Sequence, residues 1–380
     1  MPRRYEKATY TVHPLTPTSL IGPHHQNGTP SPHGRLHPRL PPPPAGLPTR
    51  PDNLSLLGQL RWGVAHPPLD PADPTSAFYR PGAFTERTVL VTGANTGLGF
   101  EAALKIAKMG CKTLILGVRS AEKGEATRRR IVDGGGAVED VRVLVVEMGE
   151  FASVVTAVRE LKEMVPGGLD VAVLCAGVAA PKFEVGKEGW ETGVMVNVLA
   201  TAVMGAGVLP LVKRDGGRLV FVNSNANDLV KREWFEGSLL QAVNSPKGWD
   251  GVRRYAMTKL TGLAVMKAVA RAAGDGERVV VNAVCPGMCK TELGRNYSWY
   301  ERLAMGLMRP LTSRTAEAGG RSLVTAAMLE KESHGKFWHN DVLYPMHELA
   351  EDEEFMKKTW REIAEIISKV PGVDLTGFEQ

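Results

Sequence analysis

Tyr255 and Lys259 stand four residues apart in the stretch Tyr255-Ala256-Met257-Thr258-Lys259, which opens a helical pattern running to residue 273. Positions i and i+4 share one helical face. An ammonium beside a phenol favours the phenolate, so Lys259 can draw the tyrosine below its usual pKa of about 10. That makes Tyr255 a candidate general acid or base. Two more polar residues stand at telling places: Ser224, just after the apolar run 218–222, and Asn197, inside an apolar helical stretch. Taken alone, Y-x-x-x-K is common on amphipathic helices. Its meaning depends on what lies around it.

A second group of residues suits phosphate. Residues 88–91, Thr-Val-Leu-Val, read as a strand buried on both faces. The chain then turns through Thr92-Gly93-Ala94-Asn95-Thr96-Gly97-Leu98-Gly99, and from Phe100 the apolar residues recur with helical period. Glycines let the backbone approach a pyrophosphate, and the helix start offers unpaired N–H groups and a positive dipole end. Arg119 follows the second strand. An acid there would bind the ribose 2′-hydroxyl of NAD, whereas an arginine suits the 2′-phosphate of NADP.

The elements that must position these groups alternate. Strands are expected at 112–118, 141–146, 169–174, 218–222 and 278–284. Helices are expected at 151–164, 189–212 and 255–273, with an insertion at 226–253. Such alternation means a doubly wound parallel sheet with right-handed crossovers and helices on both faces. Ligands then sit outside the C-terminal ends of the strands, where Gly93, Arg119 and Ser224 all fall.

Residues 1–83 differ in composition from the rest. Proline recurs, with Pro41 to Pro44 in a row, and His13, His24, His25, His33 and His37 cluster here. Too little apolar surface is available to form a core, so a disordered or polyproline-like arm is expected, followed by a single domain at 84–380. The arm has no apolar secretory signal, and a transit role stays open. The net charge of +5 over 380 residues does not call for nucleic acid. Four scattered cysteines, Cys111, Cys175, Cys285 and Cys289, suggest neither a disulfide framework nor a metal site, and point to a reducing, cytoplasmic setting. The span 193–212 has the length of a membrane helix, but Asn197, Pro210 and its small residues fit a buried core helix better, so stable membrane insertion is not expected.

Together these residues resemble the short-chain dehydrogenase/reductase family over roughly three quarters of the chain, from Phe84 onward. The match runs in order: T-G-x-x-x-G-x-G at 92–99, V-N-V around Asn197, Ser224, Y-x-x-x-K at 255–259, and Pro286-Gly287 with Thr291 following. The run V-R-S-A-E-K-G-E at 118–125 is similar to the NADP-preferring, retinol-dehydrogenase-like branch. D-G-V-R-R-Y at 250–255, R-T-A-E-A-G-G-R at 314–321 and S-H-G-K-F at 333–337 resemble fungal members associated with secondary-metabolite clusters. The resemblance implies a Rossmann-type fold, an NADP(H) cofactor, and oxidoreduction between a ketone and a secondary alcohol on a hydrophobic small molecule.

It also implies roles. Tyr255 would be the acid or base, Ser224 would hydrogen-bond the substrate oxygen, Lys259 would bind the nicotinamide ribose, and Asn197 would hold a relay water. Gly93, Asn95, Thr96, Gly97, Leu98 and Gly99 would wrap the pyrophosphate end. Arg119, Glu147, Cys175, Ala176 and Gly177 would line the adenosine end, and Pro286, Gly287 and Thr291 the nicotinamide end. Two positions depart from the family pattern. Cys175 replaces the asparagine of N-A-G, and Glu147 stands where an aspartate is usual. The aromatic and methionine-rich residues 297–308 suit either a lid over a bulky apolar substrate or core packing. A C-terminal helix at 354–370 carries Phe355, Trp360, Ile363, Ile366 and Ile367 on one stripe and is expected to pack on the domain. A homodimer is compatible with these features. The alternatives left open are a catalytically silent nucleotide-binding scaffold and a retinoid- or steroid-type dehydrogenase.

Overall fold

Runs of three to seven residues, most of them apolar, become the strands of one sheet. A computed structural model describes residues 64–290 and 313–378. Among these residues the strand order is β3-β2-β1-β4-β5-β6-β7-β8. The first seven strands are parallel: β1 (Thr88–Thr92), β2 (Thr113–Val118), β3 (Asp140–Val145), β4 (Val171–Leu174), β5 (Gly217–Val222), β6 (Val279–Cys285) and β7 (Phe337–His339). The last, β8 (Val342–Tyr344), returns antiparallel to β7. The order reverses between β1 and β4, which opens a crevice at their C-terminal ends.

Side chains alternate across the sheet and divide the core in two. Val89 and Val91 face one cluster, with α1 (Gly97–Lys108), α2 (Ala121–Asp133) and α7 (Ala316–Ala326). Leu90 faces the other, with α3 (Phe151–Met164), α4 (Thr192–Leu211) and α6 (Gly251–Ala273). Ahead of α6 lies a short helix, α5 (Leu239–Val243), and beyond β8 come α8 (Glu348–Glu351) and α9 (Glu353–Ile367). As expected, α9 packs its apolar stripe inward: Phe355, Trp360, Ile363 and Ile367 are buried, and the helix lies against α6.

The helix α4 is long and apolar enough to cross a membrane, with mean hydropathy 1.9, yet 72% of that window is buried within the chain. It begins at Thr192 because the Glu191 carboxylate accepts from the Val194 N–H at 2.9 Å. Asp250 likewise caps α6, accepting from the N–H groups of Val252 and Arg253 at 2.9 Å each. The helix therefore starts at Gly251, one turn before the expected Tyr255.

The arm expected over residues 1–83 needs correction at its end. From residue 64 the chain is described, and it lies on the domain. The Leu69 N–H donates to Asp341 Oδ2 at 2.7 Å, and Asp70 pairs with Lys105 at 2.8 Å. Phe78 is buried edge-on against Trp338, with ring centroids 5.8 Å apart. Proline-rich composition concealed these anchors, because three or four contacts suffice to hold a segment that has no regular structure of its own. The β7–β8 hairpin was also not foreseen. Three-residue strands are too short to show a period-two pattern.

Candidate active site

The turn after β1 is built by its glycines. Gly93 has φ +65° and Gly97 φ +56°, the left-handed region that other residues rarely adopt. A Cβ at Gly99 would stand 2.3 Å from the Gly93 carbonyl oxygen, so the start of α1 folds back onto the turn only because that atom is missing. Together with the ends of β2, β3 and β4 the turn bounds a cleft open to solvent. Of the residues expected to hold a cofactor, Gly93, Asn95, Thr96, Gly97, Leu98, Gly99, Arg119, Glu147, Cys175, Ala176 and Gly177 all line it. Its shape and its N–H-bearing helix start fit a dinucleotide.

Arg119 and Glu147 stand at the cleft wall as an ion pair, Nε to Oε2 at 3.4 Å. Both are well exposed, so the pair contributes little to stability and is readily exchanged for another anion. Sequence reasoning did not assign Val118, Met148, Val178, Ala179 or Val196, which also line the cleft. Each follows a strand end or faces one, and that position was the available signal.

The loop after β4 that carries Cys175 is held through its backbone. Thr92 Oγ1 accepts from the N–H groups of Cys175 at 2.9 Å and Ala176 at 3.1 Å, tying the loop after β4 to the end of β1. The backbone of this loop is thus held without an asparagine. The Cys175 thiol is pushed up to about 12 by burial, with the Lys259 ammonium opposing, so it stays neutral.

Asn197, Ser224, Tyr255 and Lys259 stand outside the lining of the cleft, with Asn197 and Lys259 just behind Gly177. Lys259 is buried, and its Nζ donates to the Val222 carbonyl at 3.2 Å. The same Nζ lies 5.6 Å from the centroid of the Tyr255 ring. A Cβ on Gly177 would come within 3.9 Å of Lys259 Nζ and 3.3 Å of Asn197 Oδ1, so the cleft floor passes directly over both. Burial draws the Lys259 pKa down to about 8.

Asn197 sits in a π-helical turn, Met195–Ala200, within α4. Its side chain is held in place: Oδ1 accepts from Val178 N–H and Nδ2 donates to Val178 O, both at 2.9 Å, and Nδ2 also donates to Thr258 Oγ1 at 3.4 Å. Ser224 caps the turn Asn225–Leu229, its Oγ accepting from the Ala226 N–H at 3.1 Å. Asn223, which carried no expected role, joins the two: its Oδ1 accepts from Ser224 N–H at 2.7 Å and its Nδ2 donates to Lys259 O at 3.1 Å. Pro286 and Gly287 follow β6, outside the lining of the cleft, with Arg314 donating to Pro286 O at 3.3 Å. Thr291 and residues 297–308 lie outside the described residues.

Known proteins resemble the chain over most of its length. A family model described as short chain dehydrogenase matches residues 87–235. A short-chain dehydrogenase/reductase of Aspergillus flavipes is 36% identical over 327 residues, covering 83% of this chain and 93% of that protein. The chain belongs to the short-chain dehydrogenase/reductase family. It is also 33% identical to a short-chain dehydrogenase/reductase of Phaeosphaeria nodorum, covering 82% of this chain and 92% of that one. A short-chain dehydrogenase of Sordaria araneosa is 34% identical, covering 82% and 96%. Among solved structures, an uncharacterized protein of Mycobacterium paratuberculosis aligns with TM-score 0.58 and 23% identity, covering 75% of this chain and 94% of that one. A short chain dehydrogenase of Burkholderia cenocepacia in complex with NADP aligns with TM-score 0.52 and 21% identity, covering 68% and 97%. At these identities the structures speak for the fold. Family membership makes the chain an oxidoreductase with a nicotinamide cofactor.

Proposed function

We propose that this short-chain dehydrogenase/reductase uses NADP(H) to interconvert a ketone and a secondary alcohol on a hydrophobic small molecule, in fungal secondary metabolism of the polyketide type. The observation that carries the reaction is the buried Lys259 ammonium beside the Tyr255 ring, beneath the inner end of the dinucleotide cleft. When bound, the cofactor supplies or accepts a hydride at the substrate carbon. The protein must then stabilise the oxygen and move a proton.

Tyr255 gives its phenolic proton to the oxygen in reduction and takes it back in oxidation. Ser224 suits the second contact: its oxygen already accepts from Ala226, which leaves the hydroxyl proton to donate to the substrate oxygen. Lys259 binds the ribose and favours the phenolate by its charge. The Asn197 side chain is committed to Val178, so a relay water at this position would use the Asn197 main-chain carbonyl. Single π-helical turns within α-helices recur at functional sites.

The choice of NADP rests on Arg119, whose guanidinium can leave Glu147 for a 2′-phosphate. The NADP complex of the Burkholderia cenocepacia relative is in keeping with it. The fungal relatives and the fungal-type motifs at 250–255, 314–321 and 333–337 support the metabolic setting. Free thiols at all four cysteines suit a reducing cytoplasm.

The test is NADPH oxidation, followed by absorbance, against a panel of apolar ketones, with NADH in parallel. Tyr255→Phe is expected to lower turnover at least about a thousandfold while NADPH still binds. Normal turnover in that variant would refute the acid–base assignment. Tight NADPH binding with no turnover in either direction would favour a silent scaffold.

A further inference from the structure

Two loops must keep their spacing for this chemistry, the one after β5 that carries Ser224 and the one after β6 that carries Pro286 and Gly287. One side chain joins them. Cys285 ends β6 and is 1% exposed. Its Sγ accepts from the Asn225 N–H at 3.2 Å and from the Gly287 N–H at 3.3 Å. Its S–H donates to Asn225 Oδ1 at 3.4 Å. A neutral thiol so placed has its proton and its acceptor capacity in use.

His339 faces this thiol from β7, opposite Cys285 in register. Burial opposes a thiolate, whereas His339 and the two N–H donors favour one, and the balance draws the thiol below its usual range. Burial lowers the His339 pKa, whereas Cys285 raises it, and the balance lies above the usual imidazole range. Arg314 donates to Asn340 Oδ1, which turns Asn340 Nδ2 toward His339 Nε2 at 3.1 Å. His339 Nε2 is therefore an acceptor, and the one ring proton sits on Nδ1, 3.1 Å from the Cys285 carbonyl.

We propose that Cys285 is a positioning residue whose thiol ties the Ser224 loop to the Pro286–Gly287 turn, and so sets the spacing between substrate oxygen and nicotinamide. The effect on cofactor binding rests on the dinucleotide reading above; the tie itself does not. Serine retains one donor and two acceptor sites. Valine fills the space without an acceptor and leaves two N–H groups unpaired, and alanine does the same with a small void.

The test uses the full chain with Cys285→Ser, Cys285→Val and Cys285→Ala. Hydrogen exchange at the Asn225 and Gly287 amides is read by NMR, and NADPH affinity by fluorescence titration. The valine and alanine variants are expected to exchange both amides about tenfold faster or more and to bind NADPH about fivefold more weakly, the serine variant staying near wild type. Rescue by serine separates hydrogen bonding from mere packing. Wild-type protection in the valine variant, or lost protection with unchanged NADPH affinity, would overturn the proposal. A wild-type chain that binds no NADPH would sink the oxidoreductase reading instead, and amide exchange would then judge the tie alone.

Discussion

Lys259 is 9% exposed, and its pKa falls from 10.5 to about 8 because burial disfavours the ammonium. At pH 7 that burial costs on the order of 3 kcal/mol. Replacing it by methionine removes the cost but leaves Val222 O without its donor, for a net gain of about 1–2 kcal/mol. Lys259→Met should therefore melt higher than wild type at pH 7 while losing turnover. Between pH 8 and 10.5 the unfolded chain holds a proton that the folded chain has shed, so wild-type stability rises with pH there. The advantage of the methionine variant should shrink over that window. Thermal melts at pH 7 and pH 10 check this, and a lower melting temperature for the variant at pH 7 would contradict it. Lys259 was legible from its spacing to Tyr255. Its contact with Val222 was not, because β5 and α6 are separated by the insertion 226–253.

Among the elements, the strand–turn–helix at 88–108 carries the cofactor reading most directly. A methyl group at Gly99 would meet backbone, the Gly93 carbonyl, and backbone cannot swing aside as a flexible side chain can. Gly99→Ala is therefore expected to push the start of α1 off the turn. NADPH affinity should fall at least about tenfold with circular dichroism nearly unchanged. A titration giving wild-type affinity would mean that this cleft is not where the cofactor binds. The helix α4 gives the contrasting lesson. Its apolar composition was readable, but the π-helical turn at Met195–Ala200 was not, since nothing in the residue pattern marks the extra residue. Asp250 of Asp250-Gly251 was an available signal for an earlier start of α6, and proximity to Tyr255 obscured it.

At the scale of the molecule, the segment from Leu69 to Phe84 closes one face of the core. Phe78 is 5% exposed and packs with Trp338 of β7. Removing its ring should cost about 3 kcal/mol, the usual range for a buried phenylalanine. Phe78→Ala should shift the urea midpoint down accordingly, and an unchanged midpoint would show that the segment is only draped on the surface. Asp341 marks the same junction. Burial raises its pKa to about 6, against the Leu69 N–H and the Arg314 charge, which lower it. Deletion of the whole expected arm, residues 1–83, would remove these contacts together.

The alternation of strands and helices, the parallel sheet and the residue types of the site were all readable along the chain. Local spacing encodes all three: apolar runs make strands, glycines make the turn, and Tyr255 and Lys259 share a helical face. Tertiary structure alone decided which partners those residues meet. Thr92 ties the loop that carries Cys175 to the end of β1, Asn223 links the Ser224 loop to α6, and Cys285 links that loop to the next turn. Each of these bonds joins the ends of neighbouring strands, or a strand end to a distant helix. Such contacts depend on strand order, and no local pattern carries it.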